Sequence, residues 1–250
     1  MRVDLAGEPP RGFLSEALVE RLLTIVEADI DASAIVIENR GETFCMGLDP
    51  SCLIADADAP PAGERARAAL ERFDRLLQAV ERAACPVIAL VDGAAAGGGV
   101  ALAAAADLVI ATSRATFALP ETLLGIVPAL AFPVLARRIG APRARWMAVS
   151  GVTIDASEAM RLGVIDMVVD DPEVALTRCL RRLTRLDARS IAAVKRLATL
   201  HAAGLHGAGH GAYESAALRT FGQLVESPET QARLRRFAQG LAPWPEDEQE

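Results

Sequence analysis

The 250 residues are 52% apolar and 24% charged, a balance that can bury a sizeable core and excludes a disordered chain. No apolar run reaches the ~18–20 residues of a membrane helix, because Asp92, Gly97-Gly98-Gly99 and Asp107 break the most apolar stretch, Cys85 to Thr112. A net charge of −7 argues against a nucleic-acid partner, and the scattered Cys45, Cys52, Cys85 and Cys179 form neither a metal nor a disulfide framework.

Val3-Asp4-Leu5 reads as a short strand, and the start Met1-Arg2-Val3-Asp4 lacks a signal peptide's apolar region, which points to the cytoplasm. Ser15 caps a helix whose apolar positions Leu18, Leu22 and Val26 recur at helical spacing. Ala34 to Ile37 is a buried strand. Residues 54–63, rich in Ala, Asp and Pro, form a loop before a helix over about 64–84 with Leu70, Phe73, Leu77 and Val80 on one face. Pro86 to Val91 is a strand that turns through glycines into a helix, and Leu108 to Ala111 is another strand. This alternation predicts an α/β fold. Asp155-Ala-Ser-Glu158 starts a helix by a capping box, Gly163 stops it, and Val164 to Val169 is a strand. Four helices follow over about 173–186, 188–203, 213–226 and 228–240, with a loop at 204–211 and an acidic tail after Pro243.

Three segments carry chemistry. The first is Phe44-Cys45-Met46-Gly47-Leu48-Asp49. The second is the strand from Pro86 that passes Gly93 and reaches Gly97-Gly98-Gly99-Val100. A strand that turns through glycines into a helix leaves free N–H groups at the helix start, where the helix dipole favours negative charge. Such a turn can hold a phosphate or an oxyanion; a dinucleotide site is disfavoured because the GxGxxG spacing is absent. The third segment is Phe117 to Pro128, in which Glu121 follows Pro120 among apolar residues. Desolvation there raises a carboxyl pKa and suits it to proton transfer.

In this order and spacing the three segments resemble the crotonase (enoyl-CoA hydratase/isomerase) superfamily, over nearly the whole chain. The resemblance implies a ββα spiral core over residues 1–186 and a C-terminal helical trimerisation region over 187–250, assembled as a homotrimer or a dimer of trimers. It also implies two backbone N–H groups that hold an acyl-thioester oxygen. Matched by motif, these belong to Met46 and Gly98, and Glu121 is the catalytic carboxylate. Asp49, Gly97, Ala101, Leu124, Leu130 and Tyr213 are substrate-pocket candidates. Hydratases of this superfamily carry a second glutamate on the glycine-rich helix, and Ala101 stands in its place.

Leu124 to Gly140, with bulky apolar residues and Pro133 after Pro128, the FCMGLD segment and an ending near Pro243-Trp244 are similar to the dehydratases of polyketide β-branching cassettes. That likeness implies dehydration of a 3-hydroxy-3-methylglutaryl-type thioester, held on an acyl carrier protein, to the 3-methylglutaconyl thioester. No cofactor is implied beyond the phosphopantetheine or CoA that carries the acyl group. The decarboxylases of those cassettes rely on a lysine near the pocket; the only lysine here is Lys195, and residues 50–84 contain none. Alternative readings are an enoyl-CoA isomerase or hydratase acting on free CoA esters, a decarboxylating homologue, or a catalytically silent subunit.

Other residues have plainer readings beside functional ones. Asp49 is a second acid or, more simply, a helix N-cap, and Cys45 is a small buried residue. His206 and His210 lie among glycines, which argues against a helical metal pair; the loop is a surface turn, or it reaches an active site with Tyr213 or His210. Arg178, Arg181, Arg182 and Arg185 share a helix face, and Arg137, Arg138, Arg143 and Arg145 form a second group. Each is a solvated face or a dock for an acidic carrier protein.

Overall fold

The computed structural model describes residues 1–5, 12–28, 32–39, 41–49, 60–204 and 227–238, together with 219, 221, 223 and 225. The chain divides into two units, Met1–Arg178 and Cys179–Glu250.

In the first unit β1 (Arg2–Asp4), α1 (Glu16–Glu27), β2 (Ile35–Glu38) and β3 (Thr43–Cys45) are followed by α2 (Ala62–Arg82), β4 (Val87–Val91) and β5 (Ala94–Ala96). Then come α3 (Gly98–Ala105), β6 (Leu108–Thr112), β7 (Thr116–Ala118) and a 3-10 turn over Pro120–Leu124. Helices α4 (Ala131–Ile139) and α5 (Ala141–Ser150) lead to β8 (Thr153–Asp155), α6 (Ala156–Leu162) and β9 (Met167–Val169). A five-stranded sheet runs β1-β2-β4-β6-β9, parallel throughout. A four-stranded sheet runs β3-β5-β7-β8, antiparallel only at β7–β8. The pairs β2–β3, β4–β5 and β6–β7 each give one strand to the large sheet and the next to the small one before a helix follows. This is the expected ββα spiral.

Residue chemistry accounts for the elements. Ser15 caps α1 by accepting the Leu18 N–H at 3.2 Å, and Leu18, Val19, Leu22, Leu23 and Val26 turn inward. Each such side chain contributes about 1.5–3 kcal/mol on burial. The central strand β4 is buried at all five positions, as a parallel strand covered on both faces must be. Asp155 caps α6 through the Glu158 N–H at 2.8 Å, as its capping box predicts. Two further carboxylates close strand starts: Asp107 accepts the Val87 N–H at 2.8 Å and Asp166 the Val109 N–H at 2.7 Å. Arg138, whose side chain is 13% exposed, pairs with Asp166 and donates to the carbonyls of Val164 at 2.8 Å and Ala106 at 3.1 Å.

Helix α7 (Pro172–Leu183) spans the boundary between the units and carries Arg178, Arg181 and Arg182 exposed. The second unit contains α8 (Ala188–Gly204) and α9 (Pro228–Ala238). Their first turns are tied by Arg189, which meets Glu229 at 3.0 Å and the Ser227 hydroxyl at 3.4 Å. The expected helix over 213–226, the loop over 204–211, the histidines in it and the tail after Pro243 lie outside the described residues, apart from Gly204 and the few positions named above.

Candidate active site

The glycine-rich turn between β5 and α3 sits against the turn after β3. Gly97 donates its N–H to the Ala118 carbonyl at 3.0 Å, which fastens this turn to the end of β7. Gly98 is the first residue of α3, so its N–H has no acceptor within the helix. Gly47 lies directly over it: a Cβ at Gly47 would come 2.9 Å from the Gly98 nitrogen.

Gly12–Leu14 docks alongside Met46–Asp49 in a parallel bridge, Leu14 to Leu48. Met46 donates to the Gly12 carbonyl at 2.6 Å, Leu14 to the Gly47 carbonyl at 2.8 Å and Asp49 to the Leu14 carbonyl at 3.2 Å. Gly47 donates to the Cys45 sulfur at 3.4 Å. The Met46 N–H, expected to be one of the two free donors, is therefore committed to the protein's own backbone. Between Met46 and Asp49 the N–H without an acceptor among the described residues is that of Leu48, two positions further on.

Glu121 enters from the third element. Pro120 opens the 3-10 turn and Gly125 closes it in the left-handed conformation. The turn is held to α5 by the Thr122 hydroxyl, which donates to the Ala148 carbonyl at 3.2 Å. The carboxylate lies over the Cα of Gly97, with Oε1 2.8 Å from where a Cβ would stand. Its Oε2 is shielded from solvent and has no hydrogen-bond partner among the described residues. Burial pushes the Glu121 pKa above the usual carboxylate range, against a smaller lowering by its own backbone N–H. A shielded carboxylate oxygen without a partner is uncommon in folded proteins, and such groups concentrate at functional sites.

Of the other pocket candidates, Gly97 is in contact with the carboxylate and Ala101 is fully buried one helical turn further along α3. Leu130 is partly buried and packs on the core, whereas Leu124 is 71% exposed. Asp49 lines a cleft of about 350 Å³ with Leu14, Leu48, Arg65 and Arg72. Tyr213 lies outside the described residues. Cys45 is buried and its thiol is pushed up to about 12, so it is no nucleophile at neutral pH. Three arginines of the second cluster are used internally: Arg137 pairs with Glu81, Arg138 forms the clamp above, and Arg143 donates to the Leu162 carbonyl. Two N–H groups from separate turns beside a proton-transfer carboxylate can stabilise an enolate oxygen while a C–H bond breaks.

Leu48, the N–H this geometry leaves unused, is not among the residues expected from the sequence. The one signal for it is its place directly after the glycine that packs on Gly98.

The enoyl-CoA hydratase/isomerase family profile matches residues 13–247. A probable enoyl-CoA hydratase of Rhodobacter capsulatus is 40% identical over 143 residues, 56% of this chain; the chain spans only 53% of that relative's length. The bacillaene synthase dehydratase PksH of Bacillus subtilis is 29% identical over 184 residues, 73% of this chain and 70% of that protein. The crystal structure of an enoyl-CoA hydratase/isomerase from Marinobacter aquaeolei superposes with a TM-score of 0.80 at 32% identity, covering 92% of this chain and 89% of that one. With the spiral, the paired turns and Glu121 all in place, the chain belongs to the enoyl-CoA hydratase/isomerase family.

Proposed function

We propose that this chain is a hydro-lyase that dehydrates a 3-hydroxy-3-methylglutaryl-type thioester on an acyl carrier protein. The observation that carries the reading is the half-buried carboxylate of Glu121 against Gly97, one residue from the Gly98 amide, with an Oε2 that is shielded from solvent and has no hydrogen-bond partner among the described residues. The likeness to a bacillaene synthase dehydratase supports the same class.

In this mechanism the thioester oxygen accepts from the N–H groups of Leu48 and Gly98. The Glu121 carboxylate removes the α-proton, and the C–H electron pair moves onto that oxygen as an enolate. The enolate collapses to form the α,β double bond and expels the β-hydroxyl, which takes the proton back from Glu121 and leaves as water. Glu121 ends ionised, ready for the next turnover. One carboxylate suffices for such a same-face elimination, in keeping with Ala101 where hydratases of the family carry a second glutamate. Each oxyanion donor of this kind is worth about 3–4 kcal/mol in the transition state. The reaction is redox-neutral and the amides carry the developing charge, so it calls for no metal or redox cofactor; phosphopantetheine or CoA belongs to the substrate.

The exposed arginines Arg178, Arg181 and Arg182 of α7 offer a cationic face for an acidic carrier protein. The working assembly is a homotrimer or a dimer of trimers, read from the family resemblance.

Mass spectrometry of the loaded carrier protein tests the reading: the enzyme should remove one water, and Glu121→Gln should not. Loss of carbon dioxide after the water would instead mark a decarboxylating enzyme. The 40%-identical relative favours a second reading, hydration or isomerisation of free CoA esters. A higher kcat/KM for CoA esters than for carrier-bound substrate would select it.

A further inference from the structure

We propose that Gly12–Leu14 is a positioning element for the oxyanion site, an inference that rests on the thioester chemistry above. Three of this segment's hydrogen bonds bracket Leu48. Gly12 takes the Met46 N–H, Leu14 gives its own N–H to the Gly47 carbonyl, and the Leu14 carbonyl takes the Asp49 N–H. The donors on either side are thereby committed, by the segment or by the Cys45 sulfur, and among the described residues Leu48 is the one in Met46–Asp49 whose N–H is left without an acceptor, directly after the glycine that packs on Gly98. The peptide that carries the Leu48 N–H is held through its own carbonyl, Gly47 O, and the next peptide through Asp49 N; both bonds go to Leu14. A donor held this way stabilises an oxyanion without reorganising during the reaction.

Gly12 is the residue on which this depends. Its φ is +86°, a backbone that side chains rarely adopt, and a Cβ there would come 3.0 Å from the Thr43 methyl and 3.6 Å from Met46 Cγ. A side chain at 12 pushes on the strand that leads into Met46 and turns the Gly12 carbonyl away from the Met46 N–H. Gly12 touches no substrate in this scheme. It acts through Leu48, so it governs polarisation of the bound carbonyl rather than proton transfer.

The test uses the whole enzyme and a chromophoric probe, the CoA thioester of 4-dimethylaminocinnamic acid, whose absorption moves to the red as its carbonyl is polarised. Wild type should bind it with a red shift. Gly12→Ala should bind it with about half of that shift or less, and lower kcat by about 10- to 100-fold with KM changed by less than about threefold. The pH dependence assigned to Glu121 should stay in place. Adding Thr43→Ala, which removes the methyl nearest the new side chain, should restore part of the shift.

Amide hydrogen exchange of wild type provides a measurement independent of folding in the variants: the Met46 amide should exchange slowly. A folded Gly12→Ala enzyme with the full red shift and wild-type kcat would overturn the proposal, as would fast exchange at Met46. A variant with higher kcat would also overturn it, because it would mean that the Gly12 carbonyl competes with substrate for Met46. Failure of the thioester reading itself looks different: wild type then shows no red shift and no turnover.

Discussion

Gly97→Ala puts a methyl group against the carboxylate on which the proposed chemistry turns. The new Cβ would stand 2.8 Å from Glu121 Oε1 and 3.4 Å from Cδ, so the carboxylate oxygen must retreat by roughly 0.6 Å to reach an ordinary 3.4 Å contact. Gly97 also has φ +53° and ψ −117°, where a side chain adds about 1–3 kcal/mol of backbone strain. At roughly 2–4 °C per kcal/mol for a chain of this size, the variant should fold with Tm lowered by several degrees. Activity should suffer more than stability, because a misplacement of about 1 Å at a reacting group can cost about a hundredfold in rate. The expected kcat is therefore about 10- to 100-fold below wild type, with KM little changed. Steady-state kinetics on the loaded carrier protein, alongside thermal unfolding, measures both quantities. Repeating the substitution in a Glu121→Ala background removes the group being displaced, so the kinetic penalty should disappear there. A folded Gly97→Ala enzyme with kcat within about twofold of wild type would show that the carboxylate's seat on Gly97 is irrelevant to catalysis.

Glu121→Gln should lower kcat by about 10²–10⁴-fold, and wild-type activity should rise with pH at a midpoint above the usual glutamate range, as a base with a raised pKa requires. The same raised pKa means that the stability linked to protonated Glu121 is present below its unfolded value and is lost as pH rises through the folded one. Glu121→Gln should thus melt higher than wild type at neutral pH, with the difference vanishing in acid; equal Tm values at neutral pH would contradict the burial argument. Arg138→Ala removes three hydrogen-bonding connections from a mostly buried guanidinium and should cost about 2–4 kcal/mol in urea unfolding, with Arg138→Lys recovering less than half. Cys45 should resist alkylation in the native enzyme at pH 8, since its thiol is buried and burial pushes its pKa up to about 12; mass spectrometry of the modified chain would detect a label.

The helices and the large sheet are legible because long amphipathic or wholly apolar runs leave few alternatives. Leu18, Val19, Leu22, Leu23 and Val26 fall on one stripe of a helix but on both faces of a strand, and β4 is apolar at every position. Most of the small sheet is not legible. Strands β3, β5, β7 and β8 have three residues each, too few to display a period of two, and their pairing is set by the spiral that brings them together. The strand expected from Val164 begins only at Met167 for a local reason. The Val164 N–H closes the end of α6 on the Ala159 carbonyl at 2.8 Å, and the Val164 carbonyl is taken by Arg138. Neither group is left for a neighbouring strand.

The site divides along the same physical line. A carboxylate is a residue type, so Glu121 announces itself by identity and by its apolar neighbours. An oxyanion donor is a backbone group that every residue but proline possesses. Which N–H in Phe44–Asp49 is left for a substrate depends on what the others already bond, and the partners that take them, Gly12 and Leu14, lie about thirty residues or more upstream, where sequence shows only the approach to a helix cap. Gly98 escapes this ambiguity because it opens a helix, and the first N–H groups of a helix have no acceptor within it. Leu48 has no such local rule. If Leu48 is the donor proposed above, its selection follows from the docking of Gly12–Leu14, the proposed oxyanion site is then a property of two chain segments rather than of the FCMGLD motif, and a change at Gly12 should be felt at the thioester oxygen without any side chain there touching it.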